Sequence, residues 1–207
     1  MQRVLRWFGF SAGWLLCLAV CGCSAYTGGA RDVTPNIWKY ERGWVAVDNV
    51  PLFKQRGQLD CGPTALAMVL AYWKVGAAPG ERWQPGATET RASAGELRDH
   101  ARSLGLAAFV VEGGLDDIKH ELSAGRPVIV GVAKPTVEGD VAHYEVVVGL
   151  HAESQRIATL DPAAGWRQNS LEGFLREWIP TGRVLLIVAP GQSDARDAPA
   201  DTSSNSS

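Results

Sequence analysis

The apolar positions of this chain change period part-way along, and the change separates helices from strands. Leu66, Val69, Leu70 and Trp73 recur at i, i+3, i+4 and i+7, which predicts a helix over residues 61–73 with one buried face. Pro63 suits its first turn. Ser93-Ala-Gly-Glu96 has the spacing of a capping box and starts a second helix, which runs to about Leu104 and stops at Gly105. A third is expected over residues 115–123, stopped near Gly125. β-Branched content predicts strands over residues 107–111, 127–132, 143–150, 156–160 and 184–188, with a short helix over 171–178 before the last of them. Gly76, Pro79, Gly80, Pro85 and Gly86 make residues 74–90 a loop. Helices come first and strands joined by short turns follow. That order predicts an α+β domain, N-terminal helices packed on an antiparallel sheet, and argues against a βαβ fold.

The two ends lack this periodicity. Arg3 and Arg6 precede an uncharged, mostly apolar run from Trp7 to Val20. The run is short of the roughly 20 apolar residues a spanning helix needs and has the layout of a signal peptide. It ends in Val20-Cys-Gly-Cys23-Ser24, which resembles the lipobox of bacterial lipoproteins. That resemblance implies that Cys23 carries the lipid and becomes the mature N-terminus; an ordinary signal peptide cut nearby is the alternative. A frame ending at Cys21 is weaker, because Val20 stands where a small residue is wanted. Ser24 after the lipidated cysteine resembles lipoproteins sorted to an outer membrane, should the host be Gram-negative. The expected organisation is a signal peptide over residues 1–23, a tether over 24–45, a folded domain over 46–189 and a disordered tail over 190–207.

Composition narrows the partners. With 46% hydrophobic and 20% charged residues, the chain is not a wholly disordered protein. Its formal charge is −2, and removing the first 23 residues leaves 18 basic and 22 acidic residues, or −4. Without a basic stripe, nucleic acid is not an expected partner. Of the four cysteines, export would discard Cys17 and Cys21 and acylate Cys23. Cys61 is then the lone free thiol in an oxidising compartment, with no partner for a disulfide. It is either a buried bystander or a reactive group.

Its surroundings favour reactivity. A thiol attacks only as thiolate, and the start of a helix favours that anion through backbone N–H groups and the dipole. A histidine must take and return the proton, an acid must fix the imidazole, and a donor must face the developing oxyanion. His143 and Asp161 lie on strands separated by residues 151–155, which predicts a hairpin. In a roughly symmetric register, position 143 lies opposite position 161, with Cβ atoms about 4.5–5.5 Å apart on one face. A slip of one residue would put them on opposite faces. Asp60 is a candidate helix cap, and Asp161-Pro162 has a second reading as a strand-ending turn. His100, His120 and His151 read as surface residues. No metal-ligand spacing is present, so neither metal nor other cofactor is expected.

Taken together, Gln55-Arg-Gly-Gln-Leu-Asp-Cys61-Gly-Pro, His143 with the Val-rich strand after it, and Asp161-Pro162 resemble the bacteriocin-processing peptidase family. These are papain-like cysteine peptidases, best known as domains that remove double-glycine leader peptides within export transporters. The similarity covers about residues 48–188. It implies a papain-like fold, Cys61 as nucleophile, His143 as general base and acid, Asp161 as the orienting residue, and Gln55 as oxyanion donor beside the Cys61 amide. Gln58 is the rival for that last role, and the six-residue spacing favours Gln55. Nothing in the sequence resembles the transporter's membrane helices, its nucleotide-binding domain or a Gly-x4-Gly-Lys-Ser/Thr phosphate loop. The expectation is therefore an exported, lipid-anchored peptidase acting on a peptide or protein substrate, with no nucleotide. An acyl transferase using the same thioester, or a peptide-binding module without turnover, are the alternatives.

Overall fold

Cys61–Tyr72 form helix α1, and nine of its twelve residues are buried, so the expectation of one buried face is corrected. The helix lies between the sheet and a second helix, and apolar residues on every side find a partner. Ala65, Leu66, Met68 and Val69 sit in the core, each large side chain contributing about 1.5–3 kcal/mol. This is a computed structural model describing residues 30–75 and 91–191. The expected signal peptide with Cys23, nearly all of the expected 74–90 loop and of the C-terminal tail lie outside the described residues.

Helix α2, Ala94–Ser103, begins with the capping box read from the sequence: Ser93 Oγ accepts from the Glu96 amide, and Glu96 accepts from the Ser93 amide. Helices α3, Leu115–Ser123, and α4, Leu171–Trp178, occupy the expected spans.

The strands are β1, Arg31–Asp32; β2, Val45–Ala46; β3, Leu106–Glu112; β4, Val128–Thr136; β5, Gly139–His151; β6, Arg156–Asp161; β7, Gly165–Ser170; and β8, Val184–Pro190. They form one antiparallel sheet in the order β1-β7-β6-β5-β4-β8-β3, with β2 paired to β5 beyond the end of β4. The mixed architecture agrees with the expected α+β class. Strand β4 runs on through Pro135, which pairs with Asp140 where β8 no longer flanks it. A proline is tolerated at such an edge because no neighbour asks for its missing N–H.

Two parts of the sheet depart from expectation. Strand β7 has the sequence Gly-Trp-Arg-Gln-Asn-Ser, without a β-branched residue, and is extended because β6 pairs it on one side and β1 on the other. Residues 31–45, within the stretch expected to be a tether, supply β1, the first residue of β2 and a 3-10 turn, Ile37–Lys39. Trp38 stacks 5.7 Å from Trp166, and its Nε1 donates to Asp48 at 2.6 Å. Apolar area on the tryptophans secures this segment to the sheet.

The β5–β6 hairpin carries an irregularity that matters for the site. Near the turn, His151 pairs with Arg156 and Gly149 with Ala158, but past Val148 the register shifts, and Val147 pairs with Thr159 and Val146 with Leu160. One extra residue, a β-bulge, has been inserted in β5. Continued from the turn without it, the ladder would bring Asp161 opposite Val146, on the face away from His143. With the bulge, the ladder continues to place Asp161 opposite Glu145. His143 is therefore a diagonal neighbour of Asp161 on the same face. The expected direct opposition of positions 143 and 161 is corrected: face and proximity survive, the register does not.

Candidate active site

Cys61 is the first residue of α1 and is fully buried. Asp60 holds the turn before it, but not as the expected cap. Its carboxylate accepts from the Arg56 amide and the Thr64 hydroxyl, both at 3.1 Å, and no side-chain cap bond to the helix amides is made. Gly62 lets the helix approach β5: a Cβ there would meet the Tyr144 ring at 3.1 Å and Leu97 at 3.3 Å. The residue after the thiol thus touches the residue after His143.

His143 Nε2 lies 2.9 Å from Asp161 Oδ1, with both side chains buried. A carboxylate only accepts, so Nε2–H donates, and Nδ1 is left as the basic nitrogen. The same Oδ1 accepts from the Ala163 and Ala164 amides at 2.6 and 3.1 Å, a turn that clamps the carboxylate. Gln55 is tied to this turn: its backbone N–H donates to the Pro162 carbonyl at 2.9 Å, and its side-chain oxygen is buried with no hydrogen-bond partner among the described residues. Gln58, the rival, is exposed. The Cys61 thiol makes no hydrogen bond with His143 among the described residues; its described contact is Arg91 Nη1 at 3.7 Å, the same nitrogen that donates to the Gln58 carbonyl at 2.6 Å. Arg91 escaped the sequence reading, since it follows the expected loop and carries no motif.

Burial governs the electrostatics. It pushes the His143 imidazole down to about 4, against the Glu145 carboxylate and with help from Lys134 and Arg91. Burial pushes Asp161 up, while the Ala163 and Ala164 amides and Arg167 pull it back. Tyr144 is pushed up to about 12, chiefly by burial, and stays neutral beside the thiol. A depressed histidine contributes stability that is present above its unfolded value of 6.5 and is lost as pH falls through about 4. The raised Asp161 acts in the opposite sense. In Cys61→Ala protein, the His143 ring nitrogens are expected to stay neutral through pH 5.5 and to titrate well below 6.5 by 15N NMR; a midpoint at or above 6.5 would contradict the desolvated site.

Sequence reading also passed over the charges next to this pair. Lys134 Nζ lies 2.5 Å from both Glu145 and Glu177, all three buried. One atom each of His143, Glu145 and Asp161 also fall within 4.8 Å of one another, a spacing that a metal ion would accept. The donor set does not fit one well, because Lys134 already supplies the positive charge and Asp161 Oδ1 is occupied by its turn.

A family model described as the Peptidase_C39 like family matches residues 47–186. The chain belongs to this family. Its members and structural neighbours are cysteine peptidases, so this chain is a hydrolase of the C39-like kind with the papain-like fold of those domains. Over 156 residues it is 31% identical to the mesentericin Y105 transport/processing ATP-binding protein MesD of Leuconostoc mesenteroides. The match takes in 68% of this chain but spans only 19% of that relative's length. Among solved structures it resembles a double glycine motif protease from an AMS/PCAT transporter in complex with the leader peptide (TM-score 0.53, 26% identity, 70% of this chain and 95% of that one). It also shares the fold of a C39-like peptidase from Bacillus anthracis (TM-score 0.57, 19% identity, 72% and 99%). The bacteriocin-processing resemblance read from the sequence is thereby shown. No described helix of this C39-like chain is long and apolar enough to cross a membrane.

Proposed function

We propose that this chain is an exported, lipid-anchored peptidase that hydrolyses peptide bonds through Cys61, His143, Asp161 and Gln55. The observation that carries the reading is the buried His143–Asp161 hydrogen bond next to the helix start that bears Cys61. His143 Nδ1 takes the Cys61 proton, and the thiolate attacks the substrate carbonyl carbon. The Gln55 side-chain NH2 and the Cys61 backbone N–H stabilise the oxyanion. As the C–N bond breaks, the imidazolium passes its proton to the leaving amine, and a thioester remains. Water, deprotonated by His143, then releases the carboxylic acid and restores the thiol. Asp161 holds the ring throughout.

The solved double glycine motif protease has a leader peptide bound. A peptide with a Gly-Gly junction is therefore the first substrate to try. The full chain would be incubated with it and with an excess of a primary amine, and the products weighed. Hydrolysis gives a free carboxylate at the cut, whereas an amide with the added amine would establish the transferase instead. An intact peptide together with an inert Cys61 would leave a binding module. Membrane attachment rests on Cys23: Cys23→Ser is expected to remove the acyl mass and release the chain from the membrane fraction.

A further inference from the structure

The site reading leaves one buried cluster unused. Lys134 on β4, Glu145 on β5 and Glu177 on α4 are 2%, 2% and 2% exposed, and Lys134 Nζ reaches both carboxylates at 2.5 Å. Buried ions are costly to desolvate, and apolar residues of the same volume would often do as well for stability. Three of them in one place ask for a purpose beyond packing. Their position supplies one. Glu145 lies two residues from His143 on β5 and so on the same face, and the bulge aligns Asp161 opposite it. Its carboxylate, that of Asp161 and a ring nitrogen of His143 come within 4.8 Å of one another.

We propose that Glu145, clamped by Lys134, is a positioning residue for His143: a second carboxylate that holds the imidazolium formed when Cys61 loses its proton. The inference rests on the proposed thiol–imidazole mechanism and deepens it. Asp161 fixes the ring through a hydrogen bond, and Glu145 acts through space. Two carboxylates, Glu145 and Asp161, stand beside the neutral ring, and Lys134 bridges Glu145 to Glu177 behind them. A proton arriving on His143 gives both nearby carboxylates a positive partner. Lys134 keeps Glu145 ionised: burial pushes its carboxyl up, but Lys134, His143 and Thr159 together hold it below the usual range. Lys134 Nζ lies 2.5 Å from Glu145 Oε1, so the carboxylate is held in place as a buried anion within reach of the ring. The other charges facing the ring oppose it or act indirectly. Arg91, ahead of α2, and Lys134 both disfavour the imidazolium; Arg167 on β7 and Glu177 act on Asp161. Cys61 on α1 supplies the proton.

The test is the pH titration of the His143 ring by 15N NMR in the full chain carrying Cys61→Ala, its signals assigned by their loss in His143→Gln. Glu145→Gln is expected to lower the ring midpoint by roughly one pH unit. Glu177→Gln removes the same charge from Lys134 but sits outside the His143 group, and is expected to move the midpoint less than half as far. Should Glu145→Gln fail to fold, Glu145→Asp keeps the charge and retracts it, and a smaller downward shift is expected. With Cys61 present, alkylation of its peptide by iodoacetamide at pH 6, quantified by mass spectrometry, is expected to slow several-fold in Glu145→Gln, roughly as a one-unit shift implies. A midpoint that does not fall in Glu145→Gln, or falls equally in Glu177→Gln, overturns the role of Glu145 alone. Alkylation indifferent to His143→Gln overturns the proposed mechanism, and the role of Glu145 with it.

Discussion

Cys61→Ala is expected to abolish peptide cleavage, and His143→Gln to lower kcat/KM by about a thousandfold or more. The thiol has no substitute in the proposed mechanism, where the thioester forms on the sulfur of Cys61, the free cysteine among the described residues. Glutamine at 143 can still hydrogen-bond Asp161, so the clamp around the turn survives, but it neither takes the thiol proton nor delivers one to the leaving amine. Both variants should unfold in urea close to the parent midpoint, which separates chemistry from folding. Steady-state cleavage of the Gly-Gly peptide reads the effect. Full activity in Cys61→Ala would end the nucleophile assignment, and a His143→Gln loss below tenfold would remove His143 from proton transfer.

Lys134→Met is expected to destabilise the domain by about 3–5 kcal/mol, because it leaves Glu145 and Glu177 buried without their shared cation. Methionine fills much the same volume, so the loss is electrostatic and not a cavity. Urea unfolding at pH 7 measures it. Replacing all three residues together, Lys134→Met with Glu145→Leu and Glu177→Leu, should recover most of the stability, since no charge is then stranded. A single Lys134→Met variant as stable as the parent would mean that water reaches the cluster and that its ions are not desolvated.

The helices were legible because their signals are local. The Ser93–Glu96 box and the glycines at 105 and 125 set boundaries within a few residues of the apolar stripe they frame. The α+β class followed from element order, and the papain-like fold from the family resemblance carried by the block around Cys61, His143 and Asp161-Pro162. Strand β7 was not legible, since Gln168 and Asn169 are buried by partners elsewhere in the chain and not by their own propensity. Nor was the packing of residues 31–46: Trp38 and Trp44 belong to no apolar period, and their ring partners, Trp166 on β7 and His151 on β5, lie more than a hundred residues away. At the site, the meeting of His143 with Asp161 was foreseen through strand alternation, but by a register that does not occur. Val146, Val147 and Val148 are all buried, so nothing in their pattern marks which of them is extra. Lys134 and Glu177 are 43 residues apart, and no spacing rule links them.

The extra residue at Val148 has a consequence for how this hairpin can change over time. Strand faces alternate, so the chemistry between His143 and Asp161 depends on whether the count of residues separating them is odd or even. An ancestor or descendant that lost Val148 would keep both side chains and their order yet point them away from each other. It could recover by a compensating one-residue change on β6 or elsewhere on β5 between His143 and the turn. Insertions and deletions here are therefore viable in matched pairs, and an alignment that slides a gap through the valine run changes the inferred chemistry of the enzyme.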